Sequence, residues 1–407
     1  MFRAVILASS AALALTATPL AAQTSTTEAQ RQAVFQQMLS DPANRDLMIQ
    51  YAQMSVSLRD FEAAAATLER LVDLEPDNTA ARVELAIAYF ALGSYDVAEY
   101  HLTAAQRGGG LTPEQSARVS RYLDAAEVGT RDNAISGRVA LGFAVTEDTD
   151  EEGIFLNVGV DWRLDLGDAN VTQLVTEFGF TSYSPGQNTG NNRTQGRLRV
   201  GPEFRLGGSA YSARLQPYVQ GEVFTSSVDS AGFQSFEAGL AYQNPLSQHV
   251  TIYSDLSFGM AYGTDAGAED FSFAQAELGA TYRPSRDTRL RASLRVEEQE
   301  TDEVNPETTE LQGLRISAQH AFDQSLIDVP NRWVVGAFGD FETAEASSAF
   351  SMSETDTDYY GLWMRAFMFE DTFVEISAAQ VIQDVTQSGT TTTTEENIYT
   401  VQIGWEF

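Results

Sequence analysis

From residue 134 to residue 407, apolar and polar side chains alternate in one segment after another up to the end of the sequence, and this pattern limits the fold more than any other feature. In the closing stretch "ENIYTVQIGWEF", Tyr399, Val401, Ile403, Trp405 and Phe407 fall on one face. Thr400, Gln402, Gly404 and Glu406 fall on the other. A period of two belongs to a strand with two different faces. Fourteen such segments can be read, near 134–146, 153–166, 172–183, 193–206, 211–224, 233–243, 249–262, 271–282, 288–299, 310–322, 332–342, 357–368, 372–385 and 396–407. One face is continuously apolar, as in Ile154, Leu156, Val158, Val160 and Trp162, or Val250, Ile252, Leu256, Phe258 and Met260. The other carries charge and glycine, such as Asp161 and Arg163, or Glu277 and Gly279. A water-soluble sandwich would turn its apolar faces inward, so alternation alone leaves sandwich and membrane barrel both open.

Aromatic residues favour the barrel. Trp162, Tyr242, Tyr262, Phe322, Met368, Tyr399, Trp405 and Phe407 sit near segment ends on the apolar face, where a girdle at a lipid–water boundary needs amphipathic rings. Connections after even-numbered segments are short: "GDAN", "GGSA", "NPLSQ", "PSRD". Those after odd-numbered segments are longer and acidic or flexible, as in "SPGQNTGNN", "ETDEVNPETT", "TAEASSAFSMSETD" and "TQSGTTTTTE". Outer-membrane barrels have an even strand number, short periplasmic turns and longer external loops. An alternating last strand that ends on Phe407 resembles the signal by which the barrel-assembly machinery recognises its bacterial substrates. The resemblance assigns that role to Tyr399, Trp405 and Phe407. Such a strand would also close against the first one, leaving no edge in lipid.

The N-terminal residues set the compartment. Arg3 is followed by the apolar run "AVILASSAALALTATPLAA", the pattern of a secretory leader cut after Ala22. After it, no stretch reaches the roughly 18 apolar residues that a spanning helix needs. There is no cysteine, so neither disulfides nor an N-terminal lipidated cysteine can hold the chain. The net charge of −32 argues against nucleic acid as a partner. The expected organisation is a leader over 1–22, a periplasmic helical domain over 23–127, a linker over 128–133 and an outer-membrane barrel over 134–407.

Between residues 28 and 127 the period is helical, and two segments of 34 residues repeat one another. Ala52 coincides with Ala86, Ala64 with Ala98, Phe61 with Tyr95 and Leu68 with Leu102, and Pro76 breaks the chain after the first copy. Alanine at the crossing points lets antiparallel helices approach closely, while Tyr89, Phe90 and Tyr95 fill the space between neighbours. This resembles the tetratricopeptide repeat. Since one unit cannot bury its apolar face alone, flanking helices should cap the pair. The second of these opens with Thr112, Pro113 and Gln115, an N-cap, first-turn proline and capping-box partner, directly after "GGG". By the family's geometry the first helix of each repeat faces a groove, which implies a client surface at Gln53, Val56, Ile87 and Phe90; the alternative is that the capping helices or the barrel cover this small surface.

The polar face of the strands predicts a charged lumen. Arg197, Arg199, Arg205 and Arg214 lie on the fourth and fifth strands, and Arg289, Arg291, Arg295 and Arg315 on the ninth and tenth. Glu222, Glu237, Asp255 and Glu277 come between them. Opposed walls of charge would set up a transverse field. Salt bridges that stiffen the barrel are the competing expectation. Catalysis is not expected: the three histidines, His101, His249 and His320, have no serine and orienting group beside them in the pattern, and no phosphate loop or metal-binding cluster appears. No cofactor is expected either, and the acidic connections, none with the spacing of a calcium loop, read as solvated faces, with divalent-cation binding at the cell surface as the alternative.

Taken together, the sequence predicts an α+β multidomain protein: an N-terminal α-helical tetratricopeptide-repeat domain, then an antiparallel transmembrane β-barrel of about 14 strands ending in "IGWEF". This layout resembles the surface lipoprotein assembly modulator (Slam) family, and "SARVSRYLDAAE" looks like that family's helix between its two domains. The resemblance implies periplasmic repeats that engage a client, a lipoprotein or other secreted protein, and a barrel in outer-membrane lipid that helps it to the surface. Polysaccharide export and porin-like diffusion are the alternatives.

Overall fold

The computed structural model describes residues 18–129, 133–147, 151–167, 172–186, 192–207, 212–227, 232–247, 249–264, 269–285, 287–302, 306–322, 332–348, 351–368 and 371–407. Most of the expected leader lies outside them. The chain divides into two compact units, a helical one and a barrel that begins at Asn133.

Among the described residues six helices make the first unit: α1 (Thr18–Ser40), α2 (Arg45–Ser57), α3 (Phe61–Leu74), α4 (Thr79–Ala91), α5 (Tyr95–Gly108) and α6 (Pro113–Gly129). Helices α2, α4 and α6 start at Arg45, Thr79 and Pro113, each 34 residues after the one before, so α6 stands where a third repeat would begin. Each start is capped by a short polar side chain, which relieves one of the unpaired amides there. Asn44 accepts from the Leu47 amide at 3.2 Å, Asp60 from Ala63 at 3.1 Å and Asn78 from Ala81 at 3.0 Å. At α6 the expected capping box is present: the Thr112 hydroxyl accepts from the Gln115 amide at 3.2 Å, and the Gln115 side chain accepts from the Thr112 amide at 2.9 Å. The repeating alanines Ala52, Ala64, Ala86 and Ala98 are all buried. One core joins Met48, Leu68, Leu71 and Leu85 across α2–α4, and a second joins Val83, Ile87, Leu102 and Val119 across α4–α6.

The second unit is one closed antiparallel barrel of fourteen strands in sequence order, with β14 returning to β1. The strands are β1 (Asn133–Thr146), β2 (Glu151–Asp165), β3 (Gln173–Pro185), β4 (Arg193–Arg205), β5 (Arg214–Ser226), β6 (Phe233–Pro245), β7 (Val250–Gly263), β8 (Phe271–Tyr282), β9 (Thr288–Thr301), β10 (Thr308–Phe322), β11 (Arg332–Ser347), β12 (Met352–Phe367), β13 (Thr372–Gln387) and β14 (Thr390–Glu406). Closure runs from Arg138 opposite Glu406 to Thr146 opposite Ile398, and Phe407 exchanges backbone bonds of 2.8 and 3.0 Å with Gly137. Side chains of one parity face outward and form an exposed apolar belt, including Leu141 and Phe143 on β1, Phe258 on β7, Leu294 on β9, Leu362 on β12 and Ile403 on β14. Exposed apolar surface on every side of a barrel is a lipid-facing surface. Trp162, Tyr282, Phe322, Trp405 and Phe407 ring the belt at the end that holds Asn133 and Phe407, and the Trp405 and Phe407 rings stack at 4.7 Å. Among the described residues no helix is long and apolar enough to cross a membrane.

Two of the expected long connections are strand instead. The segment "TQSGTTTTTE" is a hairpin in which Ser388 and Gly389 alone join β13 to β14, and "TAEASSAFSMSETD" is mostly β11 and β12. Both central residues of the first turn have positive φ, 53° and 79°, as a two-residue hairpin of matching twist requires. The threonine run that follows is β-branched and extends readily, but it has no apolar face to show as alternation.

Candidate functional site

Two surfaces could act on a partner: the first helices of the repeats, and the barrel lumen. On the helical unit the expected groove is not open. Gln53 is exposed and Val56 is half-buried against the first core, but Ile87 is buried beneath α6, in one cluster with Val119. Phe90 meets Tyr122 of α6 edge-on at 5.2 Å and Tyr95 of α5 at 5.1 Å. On α4 these positions, about two and three turns from its start, are taken up by α6, whereas the equivalent Gln53 on α2 stays exposed. The positions 34 residues beyond Ile87 and Phe90 are Arg121 and Asp124, both exposed.

A titratable pair lies nearby. Tyr89 of α4 donates to the Glu69 carboxylate of α3, and burial together with that bond pushes its pKa up to about 12. His101 of α5 stacks on Tyr89 with centroids 5.8 Å apart and planes 4° from parallel. Burial, then the Arg82 charge, holds His101 below its ordinary value, and its Nδ1 has no hydrogen-bond partner.

In the barrel every predicted lumen charge falls on the inward parity, and the structure brings Arg197, Arg199, Arg295, Arg315, Glu222, Glu237, Asp255 and Glu277 to one cavity of about 470 Å³. Arg205, Arg214, Arg289 and Arg291 do not line it. The expected opposed walls are not kept apart, because the arginines are paired with carboxylates, most on the same or the adjacent strand and one, Arg199, reaching Asp255 three strands away. Arg199 pairs with Asp255 at 3.0 Å, Arg214 with Glu203 at 3.4 Å, Arg315 with Asp340 at 2.6 Å, Arg291 with Glu277 at 4.0 Å, and Arg295 with Glu297. Arg197 and Arg289 have no ion pair among the described residues. Glu222 accepts from Gln195 at 2.8 Å; Glu237, 7 % exposed, accepts from Ser257 at 3.3 Å on one oxygen while the other has no partner.

Aromatic side chains lie flat on this wall. Tyr218 of β5 covers Gly239 of β6, where a Cβ would overlap the ring, and its hydroxyl donates to Asp255 of β7 at 2.5 Å. The Arg199 guanidinium stacks over the same ring at 3.8 Å. The sequence reading missed the matching cluster on the opposite arc. There Arg365 pairs with Glu375 at 2.7 Å and Glu406 at 2.6 Å, over the ring of the fully buried Phe373 at 4.5 Å. Arg365 and Glu375 are directly opposed in the β12–β13 register, so inward parity plus register would have found them. Phe338, Tyr359 and Trp363 line a second cavity of about 510 Å³ beside it. Of the remaining histidines, His249 bonds the Arg283 carbonyl at 2.7 Å and His320 pairs with Thr288 at 2.8 Å. Among the described residues no group of three or more carboxylates and histidines is placed to hold a metal ion.

The tetratricopeptide repeat family model matches residues 56–113. No curated protein matches the chain. Among solved structures the chain is similar to OmpT, an outer membrane protein of Vibrio cholerae, at 12 % identity over 68 % of this chain and 99 % of that one, with a TM-score of 0.40. It is also similar to MamA (AMB-1), at 20 % identity over 26 % of this chain and 55 % of that one, TM-score 0.23. The first TPR of Spaghetti bound to an HSP90 peptide is similar at 19 % identity over 26 % of this chain and 83 % of that one, TM-score 0.24.

Proposed function

We propose that this chain is an outer-membrane transport protein whose helical unit stands in the periplasm and recruits a polypeptide client, which the barrel helps to the cell surface in the manner of the Slam family. The observation that carries this reading is the joining, in one chain, of tetratricopeptide-type helices and a closed barrel with a lipid-facing belt. Repeats of this kind ordinarily present side chains to protein segments. With Ile87 and Phe90 covered, the client surface is Gln53 together with Arg121 and Asp124. On this reading Tyr399, Trp405 and Phe407 hand the nascent barrel to the assembly machinery.

The test compares surface-shaved and periplasmic proteomes of a parent strain and a deletion strain, with surface glycan stained on the same cells. Export predicts that one secreted or lipidated protein leaves the surface and accumulates in the periplasm. An unchanged surface proteome overturns it, and a lost glycan stain would then indicate polysaccharide as the cargo. The polar cavity of about 470 Å³ favours a second reading, a diffusion channel for small polar solutes. It predicts steady conductance of the purified protein in planar bilayers, and a silent barrel removes it.

A further inference from the structure

Strand β14 is longer than the partner that closes the barrel. It pairs with β13 from Thr390 opposite Gln387 to Trp405 opposite Thr372, but with β1 only as far as Ile398 opposite Thr146. The backbone bonds show which way each residue points. Phe407 bonds Gly137 of β1, and the Asn397 carbonyl accepts from the Glu147 amide at 2.9 Å, so odd-numbered residues face β1. The Glu406 amide donates to Asp371, so even-numbered residues face β13. Neither register contains a bulge. Thr391, Thr393 and Glu395 therefore present N–H and C=O groups on the side where β1 has ended, with no strand beside them among the described residues, and all three are exposed.

An edge of this kind is a template for another chain, and proteins ordinarily guard it with charged side chains, lysine above all, or with proline or a bulge. None of these occurs between Thr390 and Thr394; Glu395 and Glu396 follow and would repel acidic strands rather than basic ones. The ligand that matches alternating donors and acceptors at strand spacing is another extended backbone. A second copy of this barrel does not fit. Copies in one membrane share their orientation, and strands tilted by about 35–45° cross at twice that angle when related by an axis along the membrane normal. The charges around the edge are acidic: Glu395 and Glu396 on β14, Glu147 beside them, and Asp384, which accepts from the Thr393 hydroxyl at 2.5 Å.

We propose that the end of β14 remote from Phe407 is a strand-addition site for an extended, basic segment of another polypeptide. If the export reading holds, this names the client chemistry that the outer face of the barrel receives, but the site stands on register and charge independently of it. The test uses the full chain in lipid nanodiscs and a fluorescent eight-residue alternating threonine–lysine peptide, read by anisotropy and by backbone amide exchange. The peptide should bind and slow exchange at Thr391, Thr393 and Glu395. A Thr391→Pro, Thr393→Pro variant removes two amides on the free side and spares the backbone ladder to β13, losing there only the hydroxyl bonds to Thr386 and Asp384, and should weaken binding by about tenfold or more. Its folding is checked by the heat-dependent gel mobility of the barrel. The same peptide N-methylated at alternate residues keeps the charge and should not bind. Absence of binding by the parent protein, equal binding of the methylated peptide, or equal binding by the proline variant would each overturn the proposal. Binding together with an unchanged surface proteome would keep this site and remove the export reading; the reverse pair of results would do the opposite.

Discussion

Replacing Gly239 with alanine should cost the barrel far more than the same change at Gly179, although both are inward-facing glycines in mid-strand. At Gly239 the nearest atoms to an added Cβ all belong to the Tyr218 ring, whereas at Gly179 nothing lies within 4 Å. Tyr218 is 4 % exposed, so the ring cannot swing aside without losing its place under Arg199 and its bond to Asp255. Overpacking costs about 1–3 kcal/mol, and loss of a hydrogen bond to a charged group about 1.5–3 kcal/mol, so Gly239→Ala should destabilise by about 2–4 kcal/mol if part of the bond survives. In a Tyr218→Ala background the clash is gone, and the second substitution should be neutral or gain about 0.5–1 kcal/mol, as alanine does over glycine in a strand. The two changes should therefore be coupled by more than about 1 kcal/mol. The assay is denaturant unfolding of the full chain in detergent followed by tryptophan fluorescence, with Gly179→Ala as control. Equal costs at the two glycines, or a Gly239→Ala cost unchanged by removal of Tyr218, would refute the reasoning.

The helical unit provides four further tests, each read by the helical circular-dichroism signal of the full chain. Leu71→Ala empties a fully buried site in the first core and should cost about 2–5 kcal/mol, lowering the temperature at which the helical signal is lost while the barrel persists. Thr112→Ala removes the cap of α6 and should cost about 1 kcal/mol, and Thr112→Ser should restore most of it. For His101 the folded pKa lies below the ordinary 6.5, so the unfolded chain binds the proton first and helical stability should fall as pH drops from 6.5 through the lower folded value. For Tyr89, raised to about 12, the unfolded chain ionises first, and stability should fall as pH rises from 10. A flat stability profile below pH 6.5, or one unchanged by His101→Gln, would contradict the burial argument.

Alternation carried most of the fold because a barrel in lipid has two chemically different faces along every strand. It located all fourteen strands, and of the named arginines Arg197, Arg199, Arg295 and Arg315 line the cavity. It failed at the far ends of β11 to β14, where both faces meet water and polar threonines leave no contrast to read. The 34-residue period located the helices of the two repeats, and the spacing of Thr112, Pro113 and Gln115 located the capping box. The groove at Ile87 and Phe90 is closed by the capping helix expected after the second repeat: spacing located that helix, but not which first-helix residues it would cover. The charge walls were lost for a different reason: parity says which side of the sheet a residue faces, but only register says which carboxylate stands beside which arginine.

The lumen therefore depends on the glycines as much as on the charges. Tyr218 and Trp363 are large inward side chains that would cross the lumen if they stood upright, yet each lies against the wall because the next strand offers Gly239 or Gly336 in its path. The rings laid flat in this way support guanidiniums above them, Arg199 on Tyr218 at 3.8 Å and Arg365 over Trp363 at 5.5 Å, and each guanidinium is then held by a carboxylate. Glycine, ring, arginine and carboxylate make one stack on each arc, and the free volume between the arcs is what the stacks leave. A substitution that lifts a ring would at once narrow the lumen and release an arginine into it. Any passage of solute or client through the barrel should therefore be more sensitive to Gly239 and Gly336 than to the exposed Arg197, which stands in the cavity without an ion pair.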